Sequence, residues 1–315
     1  MRLALIALIL GSASPQAAAA QEAPSDPNGQ AQQIVLAPDR TTRMTVGVVI
    51  DGSGPYPFVV DTGSERTVVS RELASRLSLR SAGPGTVHSI TQTMPVDLVH
   101  VASLEMKNHR STDLRTPIMD AANLGGAGLI GIDSLQRRRV TIDFGKRQMT
   151  IQPPASPHAR LSDNDVVVAA QKRQGRLVIM DASVDGERVA VILDTGSQVT
   201  LGNEALKRRL FAREGRRPAE AIEVYDVTGG KIAATYTTTD VVRIASMKFK
   251  RLPMALADAP VFDQLGFGDT PALLLGMDAL KLFDKVSIDF AKRTARFALP
   301  ETGERFAPIR MASLN

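Results

Sequence analysis

The feature that most constrains this chain is a sentence it contains twice. Residues 58–64 read Phe-Val-Val-Asp-Thr-Gly-Ser and residues 191–197 read Val-Ile-Leu-Asp-Thr-Gly-Ser, so Asp61 and Asp194 stand 133 residues apart in matching surroundings. The match runs outward from both motifs. Upstream, the alternating run Met44 to Ile50 reaches a turn at Asp51-Gly52, as Leu177 to Val184 reaches Asp185-Gly186. Asp-Gly supplies the positive φ of a tight hairpin turn. Downstream, Val101 to Leu104 echoes Ile244 to Met247, Leu129 to Asp133 echoes Leu274 to Asp278, and Val140 to Arg147 echoes Val286 to Arg293. Several blocks in one order at a near-constant offset mark an internal duplication.

Each copy reads as strand, strand, Asp-Thr-Gly, short helix, strands, a Gly-containing segment, a short helix and a hairpin. Ser70 is placed to cap a helix over Arg71 to Leu79, and Asn203 one over Glu204 to Leu210. Most of the rest alternates in the manner of half-buried strands, so the chain is expected to be mainly β with a few short helices. With 315 residues and 43% hydrophobic content it can fill two cores. The expected division is a leader over 1–20, a disordered segment over 21–35, a first lobe over 36–152, a linker over 153–170 and a second lobe over 171–315. The connector Pro153 to Asp165 is polar and holds three prolines, as a linker should.

The first twenty residues have the form of a secretory signal. Arg2 is the positive residue, Leu3 to Leu10 the apolar run and Ala17 to Ala20 the small residues before a cut after Ala20. That run is too short to span a bilayer, and no Cys follows it to carry a lipid, so no stable membrane anchor is expected. The expected compartment is a bacterial periplasm, with secretion as the alternative, and the absence of cysteine excludes stabilisation by disulfides there. A formal charge of +5 is modest for this length, and its clusters (Arg137 to Arg139, Lys207 to Arg209, Arg213 to Arg217) are scattered and lack aromatic partners. No nucleic-acid partner is expected.

One Asp-Thr-Gly is an ordinary turn sequence. Two, each after an apolar strand, each extended by Ser and each followed by an apolar-apolar-Gly segment, resemble the aspartic peptidases of the retropepsin and pepsin type, and most of all the retropepsin-like proteins of bacteria. The resemblance covers roughly residues 40–150 and 175–299. It implies a two-lobed acid-protease fold of pseudo-twofold, closed β-barrel lobes, and an endopeptidase acting on extended protein or peptide segments. It implies that Asp61 and Asp194 are the catalytic pair, activating a water and sharing one proton because two close like charges cannot both ionise cheaply. It further implies that Thr62 and Thr195 bond across to the opposite lobe, and that Gly63 and Gly196 let backbone approach the carboxylates. Ser64 and Ser197 would hydrogen-bond the outer carboxylate oxygens, and Gly131 and Gly276 would pack beneath the motif loops. Asp133 and Asp278 are read as caps of the short helices, Asp143 and Asp289 as turn residues. The covering hairpins of the family would fall at Pro84 to Val96 and Val224 to Ala234; whether one, both or neither closes is open.

Other chemistries fare poorly. A thiol nucleophile is impossible without Cys, and Gly52-Ser53-Gly54 lies in a hairpin turn rather than a nucleophile elbow. His88, His100, His109 and His158 show no metal-ligand spacing, and the glycines at 125, 126 and 128 form no phosphate-binding pattern, so neither metal nor cofactor is expected. Both halves of the site lie in one chain, so a monomer is expected, with an oligomer open. The rival reading is a non-catalytic periplasmic peptide-binding or regulatory module that keeps the cleft.

Overall fold

The computed structural model of the chain describes residues 44–300 except 107–108, 136–137, 156–163, 174–175 and 213–218, with the backbone of four short strands before residue 44. Most of the expected leader, His158 and the middle of the connector lie outside the described residues.

The first copy forms a closed barrel. Its six strands run in the order Thr93–Met106, His109–Met119, Val68–Ser70, Gly128–Ile130, Ser53–Val60 and Met44–Ile50. The last strand pairs back onto the first through Val49 with Glu105 and Ile50 with Leu104. Closure leaves no free edge between these strands, which satisfies backbone groups that an open sheet would expose. Val46, Val48 and Ile50 all point inward, as alternation demands, while Phe58, Val59 and Val60 are buried in succession because that strand is covered on both faces. The predicted Asp-Gly turns are present: φ is 47° at Asp51 and 81° at Gly52, and 49° at Asp185 and 87° at Gly186.

The second copy follows the same course, with two long strands of the first lobe each broken in it. Beyond the breaks Ala182–Val184 pairs with Val241–Ile244, as Met44–Ile50 pairs back onto Thr93–Met106 in the first lobe. The strand expected over Leu177 to Val184 becomes Arg176–Ile179 and Ala182–Val184. The counterpart of Thr93–Met106 becomes Lys231–Thr238 and Val241–Ile244. The pieces sort into a large sheet and a separate four-stranded sheet. At the breaks, side chains and loop carbonyls replace the ladder: Thr239 donates through both N and Oγ to Leu252 O, and Asp185 Oδ1 accepts from the amides of Asp240 and Val241. These substitutes keep the interruption from leaving buried polar groups unpaired.

A six-stranded sheet ties the copies together. The duplicated hairpins meet in it, Arg139–Asp143 pairing antiparallel with Lys285–Asp289. Thr141 and Ser287 face one another at the centre of that register, their hydroxyl oxygens 2.6 Å apart. Asp165–Ala169 joins through Thr294–Ala298, and Gln32–Val35 pairs with Gln148–Gln152. Both additions correct the sequence reading, which placed the first in a linker and the second in a disordered segment. Each lines an outer strand whose backbone groups would otherwise be open.

The predicted caps are in place. Ser70 Oγ accepts from Leu73 N (3.1 Å) at the start of the helix Arg71–Arg76, and Asn203 Oδ1 from Leu206 N (2.9 Å) at the start of Glu204–Phe211. In the second lobe Phe283 stacks edge-on to Phe249 at 5.4 Å between centroids and lies 4.7 Å from Phe297. Replacing Phe283 by Ala empties that junction and is expected to cost about 3–5 kcal/mol of stability in urea unfolding. Phe211→Ala, at a side chain 40% exposed, is expected to change stability by no more than about 0.5 kcal/mol.

Candidate active site

The two Asp-Thr-Gly-Ser loops sit at the ends of the strands Ser53–Val60 and Ala190–Leu193, where the lobes meet. Each loop closes on its own carboxylate. Asp61 Oδ1 accepts from the amides of Gly63 (2.8 Å) and Ser64 (2.9 Å), and Asp194 Oδ1 from those of Gly196 (2.9 Å) and Ser197 (3.0 Å). The loops then lock to one another through the threonines. Thr62 N donates to Thr195 Oγ1 (3.0 Å) and Thr195 N to Thr62 Oγ1 (3.2 Å). Each hydroxyl passes its own proton onward across the boundary, Thr62 to Leu193 O (3.0 Å) and Thr195 to Val60 O (2.9 Å).

This lock presses each glycine onto the opposite acid. A Cβ on Gly63 would lie 2.5 Å from Asp194 Cγ, and one on Gly196 would come closer still to Asp61 Cγ. Any side chain there would force the loops apart. Gly131 and Gly276 have a parallel duty below, against the backbone of Arg66 and of Val199.

Asp61 and Asp194 are fully buried, and among the described residues the Oδ2 of each receives no donor from the loops, each acid being placed to bond only the other there. Burial raises both acids, Asp61 well above the usual carboxylate range and Asp194 to about 6. The negative charge of Asp194 adds to the rise at Asp61, and the loop amides oppose it in each case. The two acids titrate as one unit, in which a proton held between them satisfies both.

Two sequence readings of this region are corrected. The serine hydroxyls do not reach the carboxylates: Ser64 Oγ donates to Arg66 O (2.7 Å) and Ser197 Oγ to Val199 O (2.6 Å). The amides of these serines take the carboxylate instead, which leaves the hydroxyls to close the turn behind. Asp133 and Asp278 do not cap the short helices; the cap positions are Gly131 and Gly276, with no side-chain cap bond. Each acid instead ties its helix to the loop above. Asp133 accepts from Thr67 N and Oγ1 and from Ser134 N, and Asp278 from Thr200 N and Oγ1 and from Ala279 N. Burial raises both, Asp278 to about 6. Asp143 and Asp289 are turn residues as read, accepting from the amides of Lys146 and Lys292.

Both candidate covering hairpins exist, Ser81–His88 with Thr93–Met106 and Ala219–Tyr225 with Lys231–Thr238. Their turns meet. Asp226 Oδ2 accepts from Thr91 N (2.9 Å) and Oγ1 (2.5 Å), and Gln92 Nε2 donates to Thr228 Oγ1 (2.9 Å). Each turn also places a buried aliphatic side chain in the opposite lobe: Ile90 packs with Val178, Ile192 and Leu201, and Val227 with Val59, Val68 and Leu129. A cleft of about 320 Å³ lies between Pro84, Met94 and Val96 of the first hairpin and Val227 and Thr228 of the second.

Sequence reasoning missed Arg176, a fully buried side chain whose Nε donates to Gly63 O at 2.7 Å. A signal was present, since an Arg precedes the first strand of each copy at the same 133-residue offset, at positions 43 and 176. It missed Thr67 and Thr200 as well, and the tip residues Ile90 and Val227. Among the described residues no helix is long and apolar enough to cross a membrane, and no group of three acids or histidines could hold a metal ion.

A β protein of two related lobes, clamping two buried carboxyls against one another at their junction, belongs to the acid proteases by architecture. The family model for aspartyl proteases matches residues 46–134 and 180–279. The chain belongs to the aspartyl protease family. No curated protein matches it.

Two outcomes follow from this geometry. Thr195→Val keeps shape but strands the Thr62 amide and the Val60 carbonyl, so unfolding free energy should fall by roughly 2–5 kcal/mol. Asp194→Asn should act with the opposite sign at neutral pH. The fold raises Asp194 from its ordinary 3.8 to about 6, so the stability it contributes is complete below the lower value and lost as pH rises through the upper. The variant is therefore expected to be roughly 1–3 kcal/mol more stable than wild type at pH 7, the gap closing near pH 4. Urea unfolding at both pH values reads this directly.

Proposed function

We propose that this protein is an exported, retropepsin-like aspartic endopeptidase in which Asp61 and Asp194 are the catalytic residues. The observation that carries the reading is the pair of buried Oδ2 atoms, one from each lobe, that receive no donor from the described residues of loops that satisfy both Oδ1 atoms. A cleft that only bound peptide would gain nothing from two buried acids whose charges repel.

The chemistry follows from the shared proton. The ionised carboxyl takes a proton from a water held between the two, and the water oxygen attacks the peptide carbonyl carbon. The protonated carboxyl gives its proton to the carbonyl oxygen, forming a neutral gem-diol. On collapse the ionised carboxyl takes a proton from a diol hydroxyl, the C–N bond breaks, and the protonated carboxyl gives its proton to the departing nitrogen, which restores the monoprotonated pair. The monoprotonated pair is the working form, and the raised values of both acids favour a range from acid to mildly acid pH.

The retropepsin-like assignment is supported by two hairpins of similar build meeting turn to turn, rather than one hairpin facing an unrelated lobe. A substrate between them would lie extended, adding main-chain bonds and placing alternate side chains on opposite sides. Having both halves within lobes over 36–152 and 171–315 favours a monomer. The leader-like residues 1–20 favour export to the periplasm.

Asp61→Asn and Asp194→Asn are each expected to reduce cleavage of a diverse peptide library by at least about 10²–10⁴-fold with the fold intact by circular dichroism. Cleavage by both variants at the wild-type rate would overturn the assignment, and peptide binding without cleavage by the wild type would favour a binding module.

A further inference from the structure

We propose that Arg176 is a positioning residue for Asp61, acting through the peptide group that joins Gly63 to Ser64. The inference rests on the peptidase reading above, and concerns how one half of the dyad is held and charged.

The connection is a chain of two hydrogen bonds through one amide plane. Arg176 Nε donates to Gly63 O at 2.7 Å, and Ser64 N, the other end of the same peptide group, donates to Asp61 Oδ1 at 2.9 Å. A cation bonded to the carbonyl polarises the peptide and makes its N–H a stronger donor, as linked hydrogen bonds reinforce one another where the dielectric is low. The link crosses the lobes, since Arg176 opens a second-lobe strand and Gly63 belongs to the first-lobe loop. Bulk solvent screens this chain little, because Arg176, Ser64 and Asp61 are all fully buried.

The charged groups around this chain are few. Arg176 faces Glu65, Asp61 and Asp194; Glu65 in turn faces Arg66 and Asp133. Burial lowers the Arg176 guanidinium to about 10, still charged throughout an acid working range. Its charge opposes the rise of both dyad acids. The acid beside this chain of bonds is not repeated in the second copy. Four residues after Asp61 stands the acid Glu65, whereas four residues after Asp194 stands the neutral Gln198, whose Nε2 is buried with no partner among the described residues. The Arg176 charge thus meets, beside the dyad itself, the carboxyl of Glu65 on the Asp61 side.

The test is the pH dependence of kcat/KM for wild type, Arg176→Gln, Arg176→Lys and Glu65→Gln on one peptide substrate. Arg176→Gln removes the cation and should move both limbs of the profile up by about one pH unit. Arg176→Lys keeps a charge but cannot reproduce the planar donor, so its limbs should stay close to wild type while kcat falls. Glu65→Gln frees the guanidinium charge and should move the alkaline limb down by a few tenths of a unit. A merely structural Arg176 would lower activity at every pH with the limbs unmoved, and that result overturns the proposal. Should Arg176→Gln fail to fold, Glu65→Gln decides alone, an unmoved alkaline limb counting against it. A wild type that cleaves nothing would instead sink the peptidase reading, which keeps the two failures distinct.

Discussion

The structure depends on the reciprocal bond between Thr62 and Thr195. Two acids that repel one another, both out of reach of solvent, will not stay face to face unless something stronger holds their loops. Four cross-lobe hydrogen bonds do so, two from amide to hydroxyl and two from hydroxyl to carbonyl. Each is worth about 1 kcal/mol net, but breaking one leaves a buried donor or acceptor unpaired, which costs more than the bond contributes. The lock therefore resists opening more strongly than its net strength suggests. Its reach is short, and the six-stranded sheet supplies the long-range alignment. Pairing Arg139–Asp143 with Lys285–Asp289 fixes the rotation of one lobe against the other.

Strict symmetry is confined to what the lock requires. The loop amides, the threonine lock and the Thr67–Asp133 and Thr200–Asp278 ties each come as twins. Away from them the copies diverge. Two strands that run unbroken in the first lobe are interrupted in the second; Asp226 clasps the opposite hairpin, while its counterpart Ser89 turns back on Gln92 O within its own turn. A single chain permits this, because each copy is present once and need not fit an identical partner. Divergence so close to the dyad, as at Glu65 and Gln198, makes the two acids inequivalent by sequence and not by chance geometry.

What could be read in the sequence was local or repeated. The duplication, the strand-turn-strand units, the helix caps at Ser70 and Asn203 and the glycine packing at Gly131 each depend on neighbours in the chain or on the second copy. The errors share a different cause. The serine hydroxyls were assigned to the carboxylates because spacing cannot say whether an amide or a hydroxyl of one residue will face inward. Asp133 and Asp278 precede helical residues and so looked like caps, but their donors come from Thr67 and Thr200, many residues earlier. Arg176 finds its acceptor 113 residues away. Breaks in the second lobe's strands follow from bonds such as Thr239 to Leu252, which alternation does not announce.

The buried acids belong to one layer, and their common environment links fold to chemistry. Asp61, Asp194, Asp133 and Asp278 all lie within the junction of loops and short helices, and burial raises all four. For each of them the folded state favours the protonated form, so the layer as a whole gains from a fall in pH where most proteins lose. The lower pair is held by three donors apiece, spread over both carboxylate oxygens; the upper pair has two donors apiece, both on Oδ1. That difference separates the two pairs. An acid with both oxygens engaged fixes the loop above it, whereas two facing acids that each keep an oxygen clear of backbone donors can share a proton between them.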